Sequence, residues 1–236
     1  MRLLVTRPEP DANETAGRLR ALGHTVLIAP MMRIAFAPEP AGLAPPAALL
    51  LTSRNAVRAL ERWPSADAWR RLPAYAVGGA TAALARDTGF TDVREGGGDA
   101  AALANLVRAD FDKATGQILY PAGRDRSADV AGTLAGFTVT TVEAYRAVAA
   151  TQLDPTIAAA IKSATIDGAL FFSRRTATIL ADLVNAAGVG EGLRRAVFFA
   201  LSAVVAEPLV GLQPADIAVA ARPDEESLLA LVPPAA

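Results

Sequence analysis

Six short stretches combine small residues, hydroxyls and arginines at places where a chain leaves one element for the next. They are Thr6-Arg7, Thr52-Ser53-Arg54-Asn55, Gly78-Gly79-Ala80-Thr81, Ala122-Gly123-Arg124, Ser173-Arg174-Arg175 and Ser202. Each follows an apolar run and precedes a helical pattern. The unpaired N–H groups and dipole of a helix N-terminus favour an anion there. An adjacent guanidinium adds two-pronged carboxylate recognition. The same Ser, Thr and Asn residues also serve as helix caps, so any single stretch carries two readings. Six of them together point to a polyanionic small molecule.

Other chemistries lack their residues. The 236-residue chain has no Cys and one His, His24. Thiolate metal sites, cysteine nucleophiles and multi-histidine metal sites are therefore excluded, and no metal is expected. The 23 Lys+Arg against 24 Asp+Glu leave a net charge of −1, with no global pull toward nucleic acid or an anionic membrane. Of the basic residues 21 are Arg and 2 are Lys. The longest uncharged apolar stretch, Ala196 to Ala206, is 11 residues, against about 20 for a membrane span. The N-terminal apolar run is too short for a signal peptide. A cytoplasmic protein is expected.

The elements that must position the six stretches alternate regularly. Leu3–Val5 precedes Asp11 to Leu22, where Ala12, Thr15, Ala16, Leu19 and Leu22 recur at helical spacing; Gly23 closes that helix. Further strands are expected at Thr25–Ala29, Ala48–Leu51, Ala74–Val77, Asp92–Arg94, Gln117–Tyr120, Val139–Val142, Ala169–Phe172, Val197–Leu201 and Ile217–Ala220. Runs apolar throughout suit strands covered on both faces. The expected class is α/β with parallel sheets flanked by helices.

A weak repeat divides the chain. Leu49–Val57 resembles Ala169–Ala177, and Ala76–Ala82 resembles Ala200–Ala206. Two similar domains follow. Assigning residues 1–36 plus 147–236 to one and 37–146 to the other balances the strands at five each. The crossings then fall in Ala29–Pro38 and Thr140–Ala149, both extended in pattern, which would pair as a two-stranded linker.

Several signals fail on placement. Gly188-Val189-Gly190-Glu191-Gly192 lies after a helix and before a strand, the reverse of a dinucleotide-binding order. Glu95-Gly96-Gly97-Gly98-Asp99 lacks the Lys-Ser/Thr of a phosphate loop, and Asp99 reads as a cap. His24 sits between a helix and the start of a strand. Asp125, Arg126 and Asp129 read as solvated first-turn charges, as do Asp224-Glu225-Glu226.

An ordered set of motifs resembles the uroporphyrinogen-III synthase family of tetrapyrrole biosynthesis. It comprises Val5-Thr6-Arg7-Pro8, Thr52-Ser53-Arg54-Asn55-Ala56-Val57, Ala76-Val77-Gly78 with Thr81-Ala82, and Ile118-Leu119-Tyr120-Pro121 with Gly123-Arg124. Val142-Glu143-Ala144-Tyr145-Arg146, Phe171-Phe172-Ser173 and Ala200-Leu201-Ser202 with Val205-Ala206 complete it. The resemblance implies two α/β domains, one inserted in the other, and cyclisation of hydroxymethylbilane with inversion of ring D and loss of water. It implies a monomer without cofactors and a small-molecule substrate. A transient contact with the preceding pathway enzyme is also expected, and neither nucleic acid nor membrane. By resemblance, Tyr145 is the catalytic hydrogen-bond donor. Thr6, Arg7, Ser53, Asn55, Gly78, Thr81, Arg124, Ser173 and Ser202 are the substrate-binding positions. Some family members carry Thr-Thr where this chain has Val204-Val205, so that hydroxyl contact does not carry over. The alternative compatible with the same strand ends is a cytoplasmic two-domain binding protein for a polyanionic metabolite. A methyltransferase of the same pathway would need a glycine-rich cofactor loop that is not correctly placed here.

Overall fold

The structure is a computed structural model and describes residues 1–125 and 129–234. Along the chain run β1 (Arg2–Val5), α1 (Asp11–Ala21), β2 (Thr25–Ile28), β3 (Met32–Phe36), β4 (Ala48–Leu51), α2 (Arg54–Leu60) and α3 (Ala66–Trp69). There follow β5 (Ala74–Ala76), α4 (Gly79–Asp87), β6 (Val93–Glu95), α5 (Ala100–Asp110), β7 (Ile118–Gly123), α6 (Val130–Thr133) and β8 (Val139–Ala149). The last part holds α7 (Pro155–Lys162), β9 (Gly168–Phe171), α8 (Arg174–Ala187), β10 (Val197–Ala200), α9 (Ala203–Ala206), β11 (Asp216–Val219) and α10 (Glu225–Leu229).

Two compact units result: Met1–Arg33 with Val148–Ala236, and Ile34–Ala147. The chain passes from one to the other within β3 and returns within β8. The first unit holds a sheet in the order β11-β10-β9-β1-β2, parallel throughout. The alternation of side chains explains its uniformly apolar strands. Leu4, Ala169, Phe171 and Phe198 face one core, while Leu3, Val5, Leu170 and Phe199 face the other. A strand buried on both sides has no position left for a polar residue. Helix α8 shows how the sequence sets an element. Ser173 caps its start through Thr176 N, Gly188 ends it in the left-handed conformation, and Ala177, Leu180, Ala181 and Val184 are buried along one face.

The second unit holds the order β3-β8-β7-β4-β5-β6. Strands β8, β7, β4, β5 and β6 are mutually parallel. Leu49, Leu51, Ala74, Ala76 and Leu119 line one core, and Ala48, Leu50, Tyr75, Ile118 and Tyr120 the other. Besides the five expected strands the sheet holds β3 beside β8 at its edge, in the segments Ala29–Pro38 and Thr140–Ala149 read as extended crossings. Its run is broken by Arg33 and its residues are mostly half-exposed, so alternation in the sequence is weak there.

Candidate functional site

In the second unit, the chain leaving β4 builds β5 and β6 on one side, then crosses to β7 and β8 on the other. Connections diverge from β4 and β7, and such a reversal opens a crevice at the carboxyl ends of those two strands. The residues there are Thr52 and Ser53 after β4, and Gly123 and Arg124 at the end of β7. Tyr120 on β7 places its hydroxyl 3.2 Å from Thr52 Oγ1. Tyr145 on β8 places its hydroxyl 2.7 Å from Ser53 Oγ. Two hydroxyl pairs, Thr52–Tyr120 and Ser53–Tyr145, therefore lie at the switch point.

Local backbone features aim Tyr145 there. The β7–β8 register pairs Ala122 with Glu143 but Gly123 with Tyr145, an irregularity that re-aims the side chain. The Tyr145 ring then lies on the Gly123 backbone. A Cβ at Gly123 would stand 2.9 Å from Cε2 and Cζ and 3.0 Å from the hydroxyl. The Arg124 N–H donates to the Tyr145 carbonyl at 2.9 Å, fixing the strand beneath the ring. Burial pushes the Tyr145 phenol above its ordinary value of 10.0; the Ser53 hydrogen bond opposes this and nearby Tyr120 adds to it. The phenol thus stays protonated at neutral pH.

Arg124 is exposed and paired with Glu143 at 3.0 Å; that hydrogen bond raises its already high pKa. The two line an open cavity of about 380 Å³ together with Gly123, Asp129 and Thr141. Of the first-turn charges expected near this strand end, Asp129 caps α6 through Gly132 N, and Arg126 lies outside the described residues. Asn55 accepts from Arg58 Nη1 at 2.9 Å. Gly78 is the N-cap of α4, and a Cβ on it would lie 3.3 Å from Gly98 Cα, so two glycine backbones meet there. Thr81, one turn into α4, is 5% exposed. Among the described residues, none forms a hydrogen bond with its hydroxyl.

The first unit has the matching switch point between β1 and β9, but its side chains are engaged with one another. Thr6 is 0% exposed and donates to Leu170 O at 2.7 Å, tying β1 to β9. Arg7 is 14% exposed, bonded to Glu225 at 2.9 Å and Asp11 at 3.4 Å, and stacked 4.2 Å above the Phe172 ring. Glu225 also accepts from Thr15 at 2.8 Å and pairs with Arg18 at 3.5 Å. The expectation that Glu225 is a solvated first-turn charge is thereby corrected. Its carboxylate fills the Arg7 fork, a pairing 218 residues apart in sequence that no local pattern could reveal. Ser173 is held as a cap by Thr176 N at 3.2 Å and Thr176 Oγ1 at 3.0 Å. Ser202 precedes α9 without a side-chain bond to that helix.

His24 is 4% exposed at the amino-terminal edge of its sheet, with Nδ1 3.4 Å from the Met1 ammonium. Burial, then that positive charge, lowers its pKa below 6.5. Among the described residues, no group of three or more His, Cys, Asp or Glu side chains could hold a metal ion. No helix among them is long and apolar enough to cross a membrane. Tyr120 is the residue that sequence reasoning left without a role; its place two positions along the strand from Ala122 was the available signal.

Comparison with known proteins was made on sequence and on fold. The family model described as Uroporphyrinogen-III synthase HemD matches residues 13–230. A search of curated protein sequences found no match. The uroporphyrinogen-III synthetase from Helicobacter pylori 26695 superposes with a TM-score of 0.63 at 20% identity, covering 98% of both chains. A mutant uroporphyrinogen III synthase from the extremely thermophilic bacterium Thermus thermophilus gives a TM-score of 0.51 at 18% identity, covering 98% of this chain and 96% of the other. At these identities the structural likeness is one of fold.

Proposed function

The chain belongs to the uroporphyrinogen-III synthase family of tetrapyrrole biosynthesis, and on that premise we propose that it closes hydroxymethylbilane into uroporphyrinogen III, with ring D inverted and one water lost. The reaction is a hydro-lyase reaction, and we assign it to the cytoplasm. The observation that carries the reading is the Tyr145–Ser53 hydroxyl pair, 2.7 Å apart at the β4/β7 switch point.

The substrate supplies most of the reactivity. Its terminal hydroxymethyl group ionises with help from the attached pyrrole nitrogen, giving an azafulvenium. The substituted carbon of ring D attacks to form a spiro intermediate, which fragments and recloses. The protein's task is to hold the flexible octacarboxylate so that this attack precedes direct closure to the symmetric type I isomer. A protonated phenol at Tyr145 donates to the leaving oxygen. The phenolate left by that transfer regains its proton from the pyrrole carbon that forms the ring-closing bond. Ser53, Thr81 and the backbone at Gly78 form the rest of the proposed binding surface in this unit, with Arg124 as the carboxylate partner. Asn55, Ser173 and Ser202 contribute as helix-start contacts. For Thr6 and Arg7 the proposal is narrower. Thr6 holds the sheet, and Arg7 meets a substrate carboxylate only by exchanging Glu225.

The reading is tested by adding the protein to freshly prepared hydroxymethylbilane, oxidising the products to porphyrins and separating the isomers. Type III product supports it; type I alone refutes it. Tyr145→Phe should lower kcat/KM by roughly ten- to a hundredfold, a loss of about 1.4–2.7 kcal/mol. An unchanged kcat/KM would remove the donor role.

A further inference from the structure

Ser53 has more to do than start a helix or bind a carboxylate. Its backbone is extended, and its Oγ accepts the Ala56 N–H at 3.1 Å. That bond fixes the side-chain rotamer and occupies one of its two lone pairs. The Tyr145 hydroxyl lies 2.7 Å away, and either oxygen could be the donor. Only two arrangements satisfy this geometry. If Tyr145 donates to Ser53, the phenol proton is spent inside the protein. If Ser53 donates to Tyr145, the phenol proton is released outward, toward whatever occupies the crevice. The Ala56 N–H favours the second arrangement, because a hydroxyl that accepts a hydrogen bond becomes a better donor. The ring packs on the Gly123 backbone and against the apolar core of this unit, and the Ser53 hydroxyl is the polar contact to its phenol oxygen.

We infer that Ser53 is a positioning residue for Tyr145: it donates to the phenol oxygen, turns the phenol proton toward the leaving hydroxyl of the substrate, and steadies the phenol oxygen as that proton shifts. This rests on the proposed ring closure. The proton balance is complete within that reaction. The C–O bond breaks and the departing oxygen takes a proton to leave as water. The pyrrole carbon that forms the ring-closing bond gives up one proton on regaining aromaticity, which restores the phenol.

The test is a double-mutant cycle on the full-length protein, with kcat and KM for type III formation and thermal unfolding measured for each member. Ser53→Ala should lower kcat roughly five- to tenfold, by a larger factor than any rise in KM, the worth of about one hydrogen bond. Ser53→Thr, which keeps the hydroxyl and the cap, should restore it. In a Tyr145→Phe background, Ser53→Ala should cost nothing further in kcat, because the group it orients is gone. A rise in KM at constant kcat would overturn the inference in favour of carboxylate binding. An equal loss in both backgrounds would overturn it too, since Ser53 would then act independently. If the wild-type protein forms only type I isomer, or Tyr145→Phe is fully active, the ring-closure reading itself fails. Impaired Tyr145→Phe beside fully active Ser53→Ala fails this inference alone. Unfolding temperatures separate the loss of the cap from the loss of orientation.

Discussion

Gly123→Ala probes the packing that aims Tyr145. Gly123 is not among the residues with positive φ, so alanine fits its backbone and the effect is steric alone. The new Cβ would start 2.9 Å from Cε2 and Cζ of Tyr145. Comfortable carbon–carbon separations are about 3.5–4.0 Å, so the ring must retreat by roughly 0.6–1 Å. The Ser53–Tyr145 bond begins at 2.7 Å. The same retreat carries it to about 3.3–3.7 Å, at or past the limit of a useful hydrogen bond. The ring is the movable end of a half-buried side chain, which keeps the folding cost near the low end of overpacking, about 1 kcal/mol. That corresponds to a Tm loss of roughly 2–4 °C. The kinetic cost should be larger, with kcat falling roughly tenfold as the phenol loses its direction. Both are read from purified protein by thermal unfolding and by the rate of type III formation. In a Tyr145→Ala background the same substitution meets no ring and should leave Tm unchanged. Gly123→Ala that is fully active, or that costs the same Tm with and without the ring, would refute the packing argument.

Three further outcomes follow from side chains away from that crevice. Thr6→Val deletes the buried bond to Leu170 O and should lower Tm by roughly 3–6 °C, about 1–2 kcal/mol, with KM within twofold; a large rise in KM would restore Thr6 to the binding surface. Gly192→Ala would place a Cβ 1.7 Å from Ile161 O, a backbone atom that cannot swing aside. It should cost more than about 4 kcal/mol and is checked by soluble yield and Tm. His24 has its folded pKa below its unfolded 6.5, so its contribution to stability is full above 6.5 and is lost as pH falls through that value toward the folded pKa. Tm measured from pH 7.5 to 5 should fall less steeply for His24→Phe than for the wild type; parallel curves would contradict the assignment.

Local pattern carried much of the fold. The strands buried on both faces, β1, β4, β9 and β10, announce themselves as short apolar runs, and Ser53, Asp99 and Ser173 sit where caps are expected. Strand β3 was legible only as part of an extended crossing, because an edge strand with exposed positions has no strong period. The candidate site was legible as a set of strand ends but not as pairs. Ser53 and Tyr145 are 92 residues apart, and Arg7 and Glu225 are 218 apart. Periodicity within a segment holds no information about which strand becomes its neighbour, and the parallel sheet makes that choice. The network of Tyr75, Asp110 and Arg94 was invisible for the same reason: Tyr75 is fully buried yet donates to Asp110 at 2.8 Å.

The central claim is that this protein redirects a closure that its substrate performs unaided. The most direct measurement is the ratio of type III to type I product as protein concentration is raised at fixed hydroxymethylbilane. Spontaneous closure to type I proceeds at a fixed rate, so a true catalyst of inversion should raise the ratio in proportion to its concentration, and Tyr145→Phe should do so with a shallower slope. A ratio that stays at the uncatalysed value while the bilane is bound to saturation would contradict the account.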